Sequence, residues 1–506
     1  MTATPVWSVD PRTGKQREQV TVEAGSREVD EAVRAAHAAR TALADRTART
    51  AFLRAAADLL DEAAAQVVEA ADAETALGPG RLTGELARTT GQLRAFADAV
   101  DEGGYLDIRI DRADPSLTPP RPELRRYKVP LGVVAVYAAS NFPLAFSVPG
   151  GDTASALAAG CPVVVKAHPD HPATSELCAS LLRRAAVAAG LPADVVAVVH
   201  GFDAGLELIR HPLVTAAGFT GSLRGGRALF DAAAARPVPI PFHGELGSLN
   251  PVVVTPDAAA ERAEEIGAGL AGSVTLGVGQ FCVKPGLALV PEGAAGDRLT
   301  GALTKALGET GPGVLLDHRM RENFITGVAE RAALPGVDAP VTPGPGGEHA
   351  VGTGYLAVPA RSLLAGGAAY ELLLEECFGP VTVVVRYADQ GEAGAVLDLL
   401  PGNLSATLQL SEAEAAGAPG PAAELVDRVT ALAGRIVVNG WPTGVAVAQA
   451  QHHGGPYPAA TSHATSVGAT AIERWLRPGS AAPAGAPRGQ PAGIAAPRQR
   501  NPGHRP

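Results

Sequence analysis

The sequence predicts an α/β protein whose first large domain is a doubly wound parallel sheet, followed by a second α/β domain. Its 506 residues exceed what one compact core usually holds, so we expect two or three domains. After residue 129, short apolar runs alternate with helical stretches, and the runs lack the polar alternation of half-exposed strands. Parallel strands buried on both faces have this pattern. The predicted strands of the first sheet are 132–137, 162–166, 195–200 and 216–219.

The segment before residue 129 has a different character. Residues 1–27 predict a short extended segment with a turn at 10–14. Apolar residues at helical spacing then fill 29–100, with a break at Gly78-Pro79-Gly80. Apolar and charged residues alternate in parts of 105–128, which predicts a charged hairpin. Such a hairpin either contacts a partner subunit or is a plain surface hairpin.

The second α/β domain is predicted to begin after residue 251. A helical pattern at 258–272 follows its first apolar run. The end of the chain, 478–506, is rich in proline, glycine, alanine and arginine and has almost no large apolar side chains. We therefore expect a disordered tail there. The predicted strands of this domain are 252–254, 287–290, 381–386 and 436–438.

Charge and cysteine content narrow the classes of function. With 42 Lys and Arg against 52 Asp and Glu, the net charge is −10. No basic field for nucleic acid is indicated, and action on small molecules is favoured. Four widely spaced cysteines without a C-x-x-C pair argue against disulfides or a zinc site and for a reducing compartment. Since the sequence also has no signal peptide or membrane-length apolar run, we expect a cytoplasmic protein without a metal, nucleic-acid or membrane partner.

No single motif identifies the chemistry. The sequence contains no G-x-G-x-x-G after a strand, no Walker P-loop, no H-E-x-x-H and no G-x-S-x-G. Cys282 ends the stretch Gly277–Cys282, whose glycines let backbone approach a bound molecule closely. Such a cysteine is either a buried small hydrophobe or a nucleophile. The pair His452-His453 lacks carboxylates at metal-ligand spacing, so we expect it in a surface loop.

Polar residues at the ends of predicted strands are further candidates. Asn141 follows the first buried strand, on the side where open α/β sheets bind ligands. Its amide either stabilises an oxyanion or only shapes the turn before Pro143. Lys166 ends the second strand and either holds a ribose or phosphate or extends to solvent. Gly221-Ser222 joins the fourth strand to a helix N-terminus, a position suited to phosphate.

Two acidic positions complete the set. Glu245 lies among apolar and small residues, which would raise its pKa and suit a general base, although an ordinary surface carboxylate fits equally well. Glu376 precedes an aromatic turn that contains Phe378 and is uninformative alone. Together with Cys282 and Asn141, these residues would supply a nucleophile, an oxyanion donor, a base and part of a nucleotide site.

The order of these motifs resembles the aldehyde dehydrogenase superfamily over roughly residues 5–476. The joint match is highly specific, although no single motif is. Within the superfamily, segments 139–147, 150–160 and 453–458 resemble the branch of 2,5-dioxovalerate (α-ketoglutarate semialdehyde) dehydrogenases, which is close to NADP-dependent fatty aldehyde dehydrogenases. The motifs that carry the resemblance are Asn141-Phe142-Pro143, Val163–Lys166, Phe219–Ser222, Glu245–Ser248, Gly279–Cys282 and Glu376–Pro380.

The resemblance implies a role for each candidate. Cys282 would attack the aldehyde, and the Asn141 amide with the Cys282 backbone N–H would hold the oxyanion. Hydride transfer to the nicotinamide would leave a thioester, which Glu245 would hydrolyse by activating water. The implied cofactor contacts are Lys166 with the adenosine ribose or its phosphate, Ser222 and Gly221 with the pyrophosphate, and Glu376 and Phe378 with the nicotinamide ribose and ring.

Two departures from the family pattern concern the cofactor and the thiol. NAD-preferring relatives usually carry a glutamate three residues after the adenosine lysine, and Pro169 occupies that place here. Losing the carboxylate removes a repulsion against a 2′-phosphate, so NADP is favoured over NAD. The branch commonly has Thr-Asn after the nucleophile, whereas this chain has Val283-Lys284. Lys284 could lower the pKa of the thiol, meet a substrate carboxylate, or be exposed at the surface.

We therefore predict NAD(P)-dependent oxidation of a small aldehyde, with α-ketoglutarate semialdehyde (2,5-dioxopentanoate) going to 2-oxoglutarate. The alternatives are a broad aliphatic or fatty aldehyde dehydrogenase, a cofactor-free cysteine hydrolase using Cys282 and Glu245, and an inactive nucleotide-binding protein. The resemblance also implies a homodimer or homotetramer. The domains expected are a cofactor domain of 1–104 and 129–246, a catalytic domain of 247–448, a bridging β region of 105–128 and 449–477, and the tail 478–506.

Overall fold

A hairpin and four helices open the chain. The computed structural model describes residues 4–418, 420 and 422–481. Strand β1 (Pro5–Asp10) pairs antiparallel with β2 (Lys15–Val22), as the predicted extended segment with a turn requires. The fourth helix begins at a proline, whose fixed φ suits a first helical turn. The helices are α1 (Ser26–Ala39), α2 (Arg46–Glu62), α3 (Ala64–Thr75) and α4 (Pro79–Glu102).

The charged segment that follows forms a hairpin, but only part of it is strand. Strands β3 (Arg109–Asp111) and β4 (Leu124–Pro130) pair antiparallel. The predicted hairpin begins at Tyr105, but Gly104–Leu106 form a turn of 3-10 helix. All residues of β3 are exposed, which fits the charges in its sequence.

A five-stranded parallel sheet forms the centre of the first half. It comprises β5 (Val133–Tyr137), α5 (Gly151–Ala159), β6 (Val163–Lys166), α6 (Pro172–Ala188), β7 (Val196–Val199), α7 (Phe202–Arg210), β8 (Val214–Thr220), α8 (Leu223–Ala234) and β9 (Phe242–Glu245). The strand order is β7-β6-β5-β8-β9. Alternate residues of β5 enter two separate cores, Val134 with α2, α4 and α6 and Val133 with α1, α7 and α8. The doubly wound sheet is therefore confirmed.

A mixed sheet of seven strands organises the second half. In order across the sheet, its strands are 338–341, 354–359, 381–387, 287–291, 252–254, 403–409 and 433–438, and the antiparallel pair is the one formed by the first two. Across the described residues, no helix combines the length and apolar character needed to cross a membrane. The elements are β10 (Val252–Val254), α9 (Pro256–Thr275), β11 (Leu287–Pro291), α10 (Ala294–Gly308), β12 (Gly313–Val314), α11 (His318–Ala332), β13 (Asp338–Val341), β14 (Gly344–Pro345), β15 (Ala350–Gly352), β16 (Gly354–Pro359), α12 (Ala360–Ala365), β17 (Val381–Tyr387), α13 (Gln390–Asp398), β18 (Asn403–Gln409), α14 (Glu412–Ala415), α15 (Ala422–Leu432) and β19 (Ala433–Val438).

The last described strand corrects the predicted start of the tail. Strand β20 (Leu476–Ala481) pairs antiparallel with β4, so a three-stranded sheet β20-β4-β3 lies outside the two large sheets. Residues 478–481 therefore belong to a strand, because backbone hydrogen bonds to β4 order a segment that has few apolar side chains. Residues 482–506 lie outside the described part of the chain. The domain boundaries stay a prediction.

The carboxyl ends of the first sheet's strands meet at one edge. Tyr137 at the end of β5 lies opposite Lys166 on one side and Phe219 on the other. Thr220 lies opposite Glu245 at the end of β9. Because open parallel sheets bind ligands at this edge, it positions the site described next.

Candidate active site

A left-handed backbone stretch presents the thiol of Cys282. Gly277, Val278 and Gly279 have φ values of 57°, 59° and 67°. A side chain at Gly279 would place its Cβ 2.3 Å from the carbonyl carbon of Gly379, so only glycine permits this contact. The thiol loop therefore packs directly against the turn that holds Glu376 and Phe378.

Asn250 fixes the loop from the other side. Its Nδ2 donates to the Cys282 carbonyl at 2.8 Å and to the Lys284 carbonyl at 3.1 Å. Asn250 itself has a φ of 54°, and its backbone N–H donates to Asn403 Oδ1 at 2.8 Å. No motif in the sequence predicted a role for Asn250. The one available signal was an asparagine before Pro251 at the start of a predicted strand.

The thiol lies in a cluster with a histidine and a carboxylate. Cys282 Sγ is 3.6 Å from His453 Nε2, and the same nitrogen is 2.9 Å from Glu245 Oε1. Ser466 Oγ donates to Glu245 Oε2 at 2.9 Å. The donor atoms of Glu245, Cys282 and His453 lie within 4.8 Å of one another, a spacing that could also hold a metal ion, so the expected absence of metal stays a prediction.

The prediction of a surface loop for His453 is wrong. The residue is 1 % exposed, because the segment that carries it runs along β9. Leu246 N donates to the Ala459 carbonyl at 2.8 Å, and Thr461 N donates to the Gly244 carbonyl at 3.0 Å. These contacts join residues more than 200 positions apart in sequence. Local spacing around His453 therefore gave no sign of its carboxylate partner.

The pKa of Glu245 is shifted in the direction opposite to the one predicted from the sequence. Burial would raise the pKa of Glu245, but the charge and hydrogen bond of His453, with hydrogen bonds from Ser466 and Cys282, lower it below the usual value. The predicted raised pKa is therefore wrong, because the effects of His453, Ser466 and Cys282 together outweigh desolvation. Burial, followed by the Glu245 charge, raises the pKa of the Cys282 thiol well above its usual value. The thiol thus needs a base to become a nucleophile.

Asn141 reaches the thiol loop as the strand-end position suggested. The side-chain Nδ2 of Asn141 donates to the backbone carbonyl of Gln280 at 3.0 Å. The backbone carbonyl of Asn141 accepts from Arg81 Nη2 at 2.6 Å. An amide nitrogen carries two hydrogens, so the second remains available to an oxyanion. Within the described residues, the backbone N–H of Cys282 also donates to no other group.

All the candidate residues line one cavity of about 800 Å³. The structure thus brings together Asn141, Lys166, Gly221, Ser222, Glu245, Cys282, Glu376 and Phe378. Lys166 is 8 % exposed, and its ammonium has no hydrogen-bond partner among the described residues, lying 4.8 Å from the Phe202 ring centroid. Burial lowers the pKa of Lys166 to about 8. A buried cation facing this cavity, with the Ser222-capped N-terminus of α8 beside it, fits a nucleotide's phosphates.

Lys284 lies behind the cavity. It is 1 % exposed, and its Nζ donates to the carbonyls of Cys377 at 2.9 Å and Val381 at 2.7 Å. The suggested surface exposure is therefore wrong, and the lysine anchors the turn that carries Glu376. Burial raises the pKa of Glu376 to about 7, against the charge of Lys284 and a hydrogen bond from Ser248 N.

Comparison with known proteins gives concordant matches. The model of the "Aldehyde dehydrogenase family" matches residues 2–456. The chain is 47 % identical over 445 residues to alpha-ketoglutaric semialdehyde dehydrogenase 2 of Azospirillum brasilense, covering 85 % of this chain and 82 % of that protein. It is 42 % identical over 432 residues to alpha-ketoglutaric semialdehyde dehydrogenase of Acinetobacter baylyi, covering 83 % and 81 %. In fold, it is similar to gamma-glutamyl-gamma-aminobutyraldehyde dehydrogenase of Burkholderia cenocepacia, with a TM-score of 0.80 and 23 % identity over 94 % of this chain and 92 % of that one.

Proposed function

The chain belongs to the aldehyde dehydrogenase family, and we propose that it oxidises 2,5-dioxopentanoate (α-ketoglutarate semialdehyde) to 2-oxoglutarate with NAD(P). The names of the relatives from Azospirillum brasilense and Acinetobacter baylyi support this substrate. The observation that carries the proposed chemistry is the contact of one nitrogen, His453 Nε2, with both the Cys282 thiol and the Glu245 carboxylate.

The first half of the reaction needs a thiolate. Because the pKa of Cys282 is raised, we assign removal of its proton to the Glu245 carboxylate, to which the thiol donates a hydrogen bond. His453 Nε2, 3.6 Å from Sγ, keeps its own proton and faces the sulfur. The sulfur then attacks the aldehyde carbon. The free hydrogen of Asn141 Nδ2 and the Cys282 backbone N–H stabilise the oxyanion. Bound nicotinamide supplies a hydride acceptor, and Glu376 and Phe378 would hold that end of the cofactor.

The second half hydrolyses the acyl group on Cys282. Glu245 is buried and held at both oxygens, by His453 and by Ser466. Its lowered pKa keeps it ionised, so it can orient a water and accept the water's proton. We therefore assign general-base action to the Glu245 carboxylate, with His453 and Ser466 as the groups that position it.

One assay tests the proposal. Purified protein is mixed with 2,5-dioxopentanoate and NADP or NAD, and the absorbance of the reduced nicotinamide is followed. We expect turnover by the wild type and a fall of at least about 1,000-fold in Cys282→Ala. Cys178→Ala, at a buried cysteine of the first-half core, serves as the matched control and keeps its activity. Absence of cofactor reduction, or Cys282→Ala behaving like wild type, contradicts the proposal.

For the cofactor, we propose a preference for NADP. Lys166, His168 and Arg319 all line the adenosine end of the cavity, and Pro169 supplies no carboxylate there. The nearby Asp170 is buried and lies 3.3 Å from His168 Nδ1 and 3.8 Å from Arg319. The cations Lys166 and Arg319 favour a 2′-phosphate. The ratio of kcat/KM for the two cofactors tests this, and a strong preference for NAD contradicts it.

We also propose a homodimer or homotetramer that works in the cytoplasm. The sheet β20-β4-β3 ends in the exposed strand β3, where Ile110 is 50 % exposed, and such an edge can pair with another subunit. All four cysteines are free thiols, as a reducing compartment requires. Light scattering of the purified protein distinguishes an oligomer from a monomer, and a monomeric mass contradicts the first part of the proposal.

A further inference from the structure

Two arginines of α4 have guanidinium nitrogens without a partner beside the thiol loop. Arg81 and Arg88 are seven residues apart and so lie on one face of the helix. Nε and Nη1 of Arg81, and Nε and Nη2 of Arg88, are enclosed without a hydrogen bond among the described residues. Arg81 Nη2 alone donates, to the Asn141 carbonyl at 2.6 Å. Buried polar groups without partners are uncommon and need an explanation.

Phenylalanine rings hold both guanidinium groups next to the reacting residues. The Cζ atom of Arg81 lies 4.7 Å from the ring centroid of Phe281, the residue before the nucleophile. The Cζ atom of Arg88 lies 5.2 Å from the ring centroid of Phe146. That ring is 6.3 Å from the imidazole of His453. The arginines therefore lie close to the thiol cluster, over an aromatic wall.

The charge of Arg88 reaches the reacting groups from outside the cofactor cavity. Burial and Glu245 raise the pKa of the Cys282 thiol, whereas Arg88 acts in the opposite direction. Among the described residues, the lining of the cofactor cavity includes neither Arg81 nor Arg88. The cofactor phosphates are therefore not what these guanidinium groups bind.

Neighbouring carboxylates in the described structure form no hydrogen bond with either arginine. Glu85 lies between them on α4, but its Oε1 accepts from the backbone N–H groups of Leu144 at 2.8 Å and Ala145 at 2.9 Å. Within the described residues, no carboxylate lies within 4.0 Å of either guanidinium. The charge of Arg435 also interacts with the Cys282 thiol. Unlike Arg88, Arg435 has hydrogen-bond partners for its terminal nitrogens, which donate to the carbonyls of Pro442 and Gly444.

We propose that Arg88, with Arg81 beside it, binds a carboxylate of the substrate, so that the site selects an aldehyde with an acid group at its other end. This inference rests on the proposed function and extends it to residues that recognise the substrate. Nη1 of Arg88 is the one nitrogen of that guanidinium that is not enclosed, so a carboxylate oxygen can approach it. Guanidinium groups match carboxylates in planarity and in spacing of donors.

The kinetic test compares an acidic with a neutral aldehyde of the same chain length. For wild type, Arg88→Gln and Arg88→Lys, kcat/KM is measured with 2,5-dioxopentanoate and with pentanal. We expect Arg88→Gln to lower the acid-to-neutral ratio by about 10- to 100-fold, the value of a lost charge-assisted hydrogen bond. Arg88→Lys should restore part of the ratio. The matched control is Arg94→Gln, at an α4 arginine that binds Asp58 and Asp61 on the surface, and its ratio should equal that of wild type.

A binding measurement separates this inference from the proposed reaction. Calorimetry with 2-oxopentanoate, which has the keto acid but no aldehyde, should give a dissociation constant about 10- to 100-fold weaker in Arg88→Gln. Unfolding midpoints verify that the variants fold. An unchanged ratio together with unchanged 2-oxopentanoate binding overturns the carboxylate site. If the wild type oxidises neither aldehyde, the proposed function fails, and the calorimetry still decides whether Arg88 binds the acid.

Discussion

The two sides of Cys282 are built in different ways. The cofactor side consists of residues at the carboxyl ends of parallel strands, among them Lys166 and Glu245, whose places follow from the sheet's register. The other side is assembled from the α4 face with Arg81 and Arg88 and from the segment around His453, which reach the thiol through side chains. The cofactor side is thus fixed by a widely shared architecture, whereas the other side depends on particular residues of this chain.

The largest effect is expected where the two sides meet. Glu245→Gln keeps the size of the side chain but removes the carboxylate that accepts the proton of the thiol and of the water, so kcat should fall by about 100- to 10,000-fold. Rapid mixing should show no burst of reduced cofactor, because thiolate formation slows together with thioester hydrolysis. Glu207→Gln, at an exposed glutamate of α7, is the control. A burst of about one reduced cofactor per site before slow turnover would confine Glu245 to the second half of the reaction.

A smaller effect is expected from a substitution on the side of Cys282 that contains His453. His453→Asn removes the imidazole that lies 3.6 Å from the thiol, and we expect kcat/KM to fall by about 100-fold. Alkylation of Cys282 by iodoacetamide should slow as well, since less thiolate forms. The adjacent His452→Asn provides a matched control, because that half-buried histidine makes no contact with the thiol in the described structure. Equal alkylation rates in the two variants would show that His453 does not activate the thiol.

The smallest effect is expected on the cofactor side, where many contacts share the binding energy. The pKa of Lys166 is lowered to about 8, so its ammonium loses its proton as the pH rises through that value. Loss of this positive charge should weaken NADP binding by about 10-fold between about pH 7 and about pH 9. Calorimetry at both pH values tests this. Lys166→Met should flatten the dependence, whereas Lys305→Met, at an exposed lysine, should leave it intact. A steep pH dependence of NADP binding in Lys166→Met would show that a group other than Lys166 titrates.

The sequence predicted the cofactor side better than the other side. Buried valine runs located the strands, and a strand's end locates the residue that follows it, which is why Lys166 and Asn141 were found. His453 was misplaced because its partner Glu245 is more than 200 residues away and no local periodicity links them. Lys284 was misread for a related reason: its two carbonyl partners come from the turn near Cys377, and only the folded chain brings them together.

Arg88 illustrates a further limit. On α4 it is one of three arginines, and helical spacing groups it with Arg81 but does not show which face of the helix points toward the thiol and which carries the arginine that binds surface aspartates. The resemblance identified the residues common to the family and carried no information about this position. In the described structure, the ring of Phe146 beside its guanidinium and its enclosed nitrogens without a hydrogen bond separate it from Arg94, which binds Asp58 and Asp61.

The contact between Gly279 and Gly379 constrains how such an enzyme can diverge. Because the nucleophile's loop and the turn that carries Glu376 and Phe378 touch backbone to backbone at Gly279, a larger side chain there displaces both at once, whereas a side chain at Gly379 would meet the ring of Phe324. Natural variation or laboratory selection for new aldehydes must therefore leave this backbone contact unchanged. The exchangeable positions lie on α4, outside the cavity that Cys282 lines, where side chains can be replaced one at a time while the backbone contact stays intact.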